Sequence, residues 1–166
     1  MQPLTTLPAG SDVFVDANVF VLGLSGASPQ CRQFLERCSV EEVIGISLFE
    51  IVNEATHQFM LAEARSKLLI PQNGSARHLK QKWAIIPTLV DYWRDTERIL
   101  ALNLLVFSTD EDLVRNAYPE RNSASLMTND SMIMSCMREC GIRYLATHDG
   151  DFDRTTGITV FGPDDI

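Results

Sequence analysis

The chain has 166 residues, with 14 Lys and Arg against 22 Asp and Glu and a net charge of −8 at pH 7. That length fits a single domain over residues 1–166 with a core of its own, and 45 % hydrophobic with 22 % charged residues excludes wholesale disorder. No apolar run approaches the roughly 18 residues of a membrane span, and the first eight residues have neither the basic n-region nor the apolar h-region of a secretory leader, so a cytoplasmic protein is expected.

In chain order, residues 12–16 (Asp-Val-Phe-Val-Asp) form a β-branched and aromatic run closed by a carboxylate, which predicts a buried strand. Cys31, Phe34, Leu35 and Cys38 have helical spacing within residues 29–42, and residues 43–46 predict a second strand. Ser47 can cap a long helix towards Leu69, with Leu48, Ile51, Val52, Ala55, Phe59 and Ala62 on one side. Residues 71–75 are a loop by composition, and 77–103 read as helix interrupted near Pro87. A third strand is expected at 104–107, then a helix from Thr109 to Ala117 capped by Thr109, then a loop over 118–125. Thr128 or Asn129 can cap a helix ending at Gly141; strands follow at 142–147 and 157–161. Strands alternating with helices predict an α/β fold, a central parallel sheet of about five strands flanked by helices.

The four cysteines lack C-x2-C spacing and read as reduced, buried thiols. Charge is more informative. A net negative chain repels nucleic acid at long range, yet residues 65–98 hold seven basic and three acidic residues, a local +4 that leaves −12 on the remainder. This stretch, with Trp83, Tyr92 and Trp93, is either a solvated helix face or a nucleic-acid contact surface using Lys80, Lys82, Arg94 and Arg98.

Ligands of open parallel sheets gather outside the carboxyl ends of the strands. Asp16 ends the first strand, Asp149 follows the fourth, Glu54 lies two turns into the helix after the second, and Asp130 opens the helix before the fourth. Four carboxylates cannot stay ionised together in a small pocket without a cation. Oxygen ligands with no nearby His or Cys point to Mg²⁺ or Mn²⁺, ions that orient a phosphodiester and activate water. Each residue also has an ordinary reading. Asp16 could only cap a helix, Glu54 could be a surface residue with Glu50 one turn earlier in its place, Asp130 could answer a helix dipole, and Asp149, Asp151 and Asp153 could be a solvated turn.

Four segments carry a resemblance: Val-Phe-Val-Asp16-Ala-Asn18-Val-Phe, Asn53-Glu54-Ala-Thr-His57, Leu126-Met-Thr-Asn-Asp130-Ser-Met-Ile and Gly141-Ile-Arg-Tyr-Leu-Ala-Thr147-His-Asp149-Gly-Asp151-Phe152. They resemble the successive acidic motifs of PIN-domain ribonucleases, and the chain is similar to the VapC-type toxins and their stand-alone relatives from residue 12 to about 161. The resemblance implies a three-layer PIN-like fold and a metal-dependent endoribonuclease, the toxin of a toxin–antitoxin pair or a toxin-like relative. It implies an RNA substrate, an antitoxin partner and a homodimer. It further implies Asp16, Glu54, Asp130 and Asp149 as catalytic metal ligands for Mg²⁺ or Mn²⁺, Asp151 as an outer ligand, and Asn18 and Thr147 as orienting groups. Residues 55–129 are longer than in the smallest members, the extra length falling in the basic stretch.

A phosphoacceptor regulatory domain would need a lysine late in the chain, and the only lysines are Lys67, Lys80 and Lys82. A non-catalytic RNA-binding or scaffold relative would lack one or more acidic ligands, whereas all four are present; another metal-dependent nuclease or phosphatase stays open.

Overall fold

The computed structural model describes residues 1–166. In chain order it contains β1 (Gln2–Pro3), β2 (Asp12–Val15), α1 (Ala17–Leu24), α2 (Pro29–Ser39), β3 (Ile44–Leu48), α3 (Phe49–Ser66) and α4 (Ala76–Gln81). Then come α5 (Asp91–Leu100), β4 (Leu105–Phe107), α6 (Glu111–Ala124), α7 (Thr128–Cys140), β5 (Tyr144–Ala146) and β6 (Thr159–Gly162). Short 3₁₀ turns occupy Leu4–Thr6, Trp83–Thr88 and Gly150–Arg154.

The strands form one parallel sheet in the order β1-β6-β5-β2-β3-β4, flanked by helices. The α/β expectation holds, with six strands rather than about five. The extra edge strand, β1, is too short for a hydrophobic period to announce it. From β2 the chain builds outward through β3 and β4, then returns to the other side of β2 with β5 and β6. The boundary between β2 and β5 is therefore the switch point where a crevice opens at the carboxyl ends. Val15 stands opposite Ala146 in the register, so the next residues, Asp16 and Thr147, emerge side by side.

Val13, Phe14 and Val15 of β2 and Leu145 and Ala146 of β5 are fully buried, as befits central strands covered on both faces. One large core surrounds them. A separate small cluster of Ala64, Ile70, Leu79 and Leu89 sits where the end of α3 meets α4 and the following turn.

Several local expectations need correction. Helix α1 follows β2 directly, and its sequence Ala-Asn-Val-Phe-Val-Leu-Gly-Leu is nearly apolar all round because it packs against α2 and α3, so it shows no clean polar face. Ser47 does not cap α3: Leu48 holds that position, and the buried Ser47 hydroxyl donates to the Val15 carbonyl, 3.0 Å. Asp110, not Thr109, caps α6 by accepting from the Leu113 amide. Residues 118–124 are helix rather than loop despite Pro119. Tertiary contacts override the proline: Ala124 is buried, Glu120 pairs with Arg138 at 2.5 Å, and Arg121 Nε donates to Ser131 Oγ at 2.8 Å. Thr128 and Asn129 lie inside α7, whose N-cap is Met127, and Gly141 ends it in the left-handed region at φ 69°. Cys31, Cys38 and Cys136 are buried free thiols, but Cys140 is exposed at the end of α7.

Candidate metal centre

Asp16 is held on every side. As N-cap of α1 it accepts from the Ala17 amide through Oδ1 at 2.7 Å. Its Oδ2 accepts from Asn18 Nδ2 at 2.5 Å and from the Thr147 hydroxyl at 2.6 Å. Asn18 also donates to Thr147 Oγ1 at 3.0 Å and accepts from the His148 amide at 2.8 Å, while Thr147 Oγ1 accepts from the Asp149 amide at 3.0 Å. Asn18 and Thr147 thus tie β2 to the loop carrying Asp149. One oxygen of Asp16 serves the helix and the other the network, and Asp16 neither lines the cleft of Glu54, Asp130 and Asp149 nor joins the cluster of Asp130, Asp149 and Asp151.

Asp149 caps the following 3₁₀ turn by accepting from the Asp151 amide at 2.8 Å. Asp130 sits in the first turn of α7. One carboxylate oxygen from each of Asp130, Asp149 and Asp151 lies within 4.8 Å of the others. Glu54 lines the same open cleft of about 390 Å³ with Met127, Thr128, Asn129, Asp130 and Asp149. Glu50 does not line it, and one of its carboxylate oxygens is buried without a hydrogen-bond partner.

The electrostatics follow from burial and crowding. Burial pushes the Asp16 carboxyl up to about 6; the hydrogen bonds from Thr147 and Ala17 oppose this, and the charges of Glu54 and Asp130 add to it. Asp130 is raised by burial first and then by Asp149, with Glu54 and Asp151 adding and a backbone hydrogen bond from Met127 opposing. The donor set is carboxylate oxygen alone, which suits a hard divalent cation, and the mutual repulsion is what such a cation would relieve.

Two residues outside the sequence expectations hold this arrangement. Asn129 donates to Glu54 Oε2 at 2.6 Å, joining α3 to the start of α7, while Gln58 reaches Oε1 at 3.4 Å. Arg154 pairs with Asp151 at 3.1 Å and donates to the carbonyls of Ala124 and Ser125, which fastens the Asp149–Asp151 turn to the end of α6. Adjacency to Asp130 was a weak signal for Asn129; the i,i+3 spacing from Asp151 was one for Arg154.

None of Lys80, Lys82, Arg94 and Arg98 lines the carboxylate cleft. Arg94 pairs with Asp91 at 3.0 Å and Arg98 with Asp95 at 3.1 Å. Lys82 Nζ donates to the Leu69 carbonyl at 2.8 Å, and Lys80 is exposed.

The site is a carboxylate-lined cleft beside the carboxyl ends of a parallel α/β sheet, with a donor set that a hard divalent ion would suit. The chain belongs to the PIN domain family, whose pattern matches residues 13–158. A search of curated proteins gave no significant match. Among solved structures it resembles VapC20 of Mycobacterium tuberculosis, described as a toxin that cleaves the sarcin-ricin loop. The TM-score is 0.55 at 16 % identity, covering 88 % of this chain and 96 % of that one. It also resembles VapBC2 of Rickettsia felis, solved bound to a promoter DNA fragment, with a TM-score of 0.59 at 13 % identity over 92 % of this chain and 99 % of that one. A toxin–antitoxin complex from Klebsiella pneumoniae matches with a TM-score of 0.56 at 14 % identity, covering 89 % of this chain and 95 % of the other. At these identities the likeness is one of fold.

Proposed function

We propose that the protein is a Mg²⁺- or Mn²⁺-dependent endoribonuclease, a single PIN-type domain over residues 1–166 acting as the toxin, or a toxin-like relative, of a toxin–antitoxin pair. The observation that carries this reading is the convergence of Asp130, Asp149 and Asp151 within 4.8 Å, in the cleft that Glu54 also lines. Family membership supports it, as does a fold neighbour that is a VapC toxin described as cleaving the sarcin-ricin loop.

In this reading Asp16, Glu54, Asp130 and Asp149 hold the ion, with Asp151 as an outer ligand. The bound ion supplies charge neutralisation, alignment of the phosphodiester and activation of water. The chain's own residues preorganise the site. Asn18 and Thr147 fix the Asp16 carboxylate, Asn129 fixes Glu54, and Arg154 holds the turn that presents Asp151. An antitoxin partner, a homodimer and a cytoplasmic location belong to the same reading. No helix is long and apolar enough to cross a membrane.

Purified protein should nick structured RNA with Mg²⁺ or Mn²⁺ and stop in chelator. Asp149→Asn should keep the fold and lose at least about two orders of magnitude in rate, the scale of one lost preorganised electrostatic partner. Equal cleavage by wild type and Asp149→Asn would remove the assignment.

A further inference from the structure

Helices α3 and α5 pack along each other, and the chain between them, with α4 and the 3₁₀ turn at Trp83–Thr88, closes over the small apolar cluster of Ala64, Ile70, Leu79 and Leu89. This tip starts beyond Glu63, nine residues along α3 from Glu54, a helical rise of about 14 Å from the cleft residue. Three features set it apart from the rest of the molecule. Residues 68–90 contain Arg77, His78, Lys80 and Lys82 and not one Asp or Glu, in a chain of net charge −8. Arg77 and Lys80 are exposed and make no ion pair, whereas Lys67, Arg94 and Arg98 are each taken up by carboxylates. Trp83 is 72 % exposed, directly after this basic helix.

An indole left in water at that extent gains nothing for folding, and the cluster beneath is complete without it. Unpaired cations three and six residues before an exposed aromatic supply the two contributions that bind single-stranded nucleic acid, phosphate neutralisation and base stacking. A two-fold contact between copies through this tip would set like charge against like, so a second copy is the poorer occupant. We infer that the tip of the α3–α5 arm is a docking platform for single-stranded RNA, with Trp83 stacking a base and Arg77 and Lys80 holding adjacent phosphates. The choice of RNA rests on the nuclease reading. It gives the enzyme a substrate anchor remote from its acidic cleft, where a polyanion meets repulsion.

The test is a fluorescence titration of a Trp93→Phe, Asp149→Asn protein in chelator, where Trp83 is the sole tryptophan, against an oligouridine of about 12 nucleotides. Binding is read without cleavage, so its outcome is independent of whether the cleft is catalytic. Saturable quenching of Trp83 is expected. Trp83→Ala should weaken binding roughly tenfold, measured with labelled RNA, and Trp83→Phe should recover most of the loss. Arg77→Gln and Lys80→Gln should each lower the log–log salt slope by about 0.7, while Arg94→Gln should lower it less. Because Trp83 is so exposed, its replacement should leave the melting temperature unchanged. Equal affinity for wild type and Trp83→Ala overturns the proposal. So does quenching by protein concentration alone, which indicates a second copy, or by oligoglutamate as strongly as by RNA, which indicates an acidic protein segment.

Discussion

Asp16 is buried at 7 % exposure, and its carboxyl is raised from 3.8 to about 6. With a folded value above the unfolded one, its penalty is absent below about pH 4 and complete above the folded value. In chelator the protein should therefore gain stability as pH falls from 7 towards 4, by up to about 3 kcal/mol for this group alone. Asp16→Asn removes the charge at nearly constant shape and keeps a competent N-cap, but it disturbs the donors from Asn18 and Thr147. The expected balance is a variant more stable than wild type by on the order of 1 kcal/mol at pH 7 in chelator, with a flatter profile between pH 6 and 4. Denaturant melts across that range decide it; a variant less stable at pH 7 with an unaltered profile would leave Asp16 as a cap only. The position of this residue was legible in the sequence because a carboxylate ends a buried strand. Its network with Asn18 and Thr147 came from the resemblance, since a hydrogen bond spanning 129 or 131 residues leaves no mark in local spacing.

Glu63 shows how an element is fastened without contributing to the cleft. It is 6 % exposed on α3 and accepts from the amides of Val90 and Tyr92, both at 2.8 Å, around the start of α5, and from Lys67. Burial alone would push its carboxyl up; the hydrogen bonds from Lys67 and from the amides of Tyr92, Val90 and Asp91 outweigh this and hold it down at about 2. A depressed folded value means stability that is present above about pH 4.5 and lost as pH falls towards 2, on the order of 3 kcal/mol. Glu63→Gln should lose about 2–3 kcal/mol at pH 7 and be less acid-sensitive than wild type. Chemical denaturation at pH 7 and pH 3 checks both, and equal losses of wild type and variant on acidification would contradict the role. Nothing local marks Glu63, because the amides it caps are 27 and 29 residues away. The same limit explains the other misread elements. Strands β2 to β6 and helices α2, α3 and α7 announced themselves by period and punctuation, whereas α1 hid its period by burial on most sides, and Pro119 pointed to a loop that contacts with α7 override.

At the scale of the whole molecule, uneven charge is what reconciles an acidic chain with the polyanionic substrate proposed for it. The basic excess is gathered on the α3–α5 arm, and the carboxylates of the cleft would repel phosphate unless a cation filled it. In the proposed function a bound cation would supply both the chemistry and the electrostatic permission for RNA to approach. Its binding should also hold the fold. A ligand at a hundred times its Kd stabilises by about 2.7 kcal/mol, enough to raise the melting temperature of a domain this size by roughly 5–10 °C. The most direct measurement is calorimetric titration of the purified protein with Mn²⁺ at pH 7, beside Asp130→Asn and Asp149→Asn. A metal centre predicts saturable binding by wild type, weakened at least about tenfold in each variant, the loss of one charged ligand. Absence of heat from wild type, or identical isotherms for all three proteins, would contradict it.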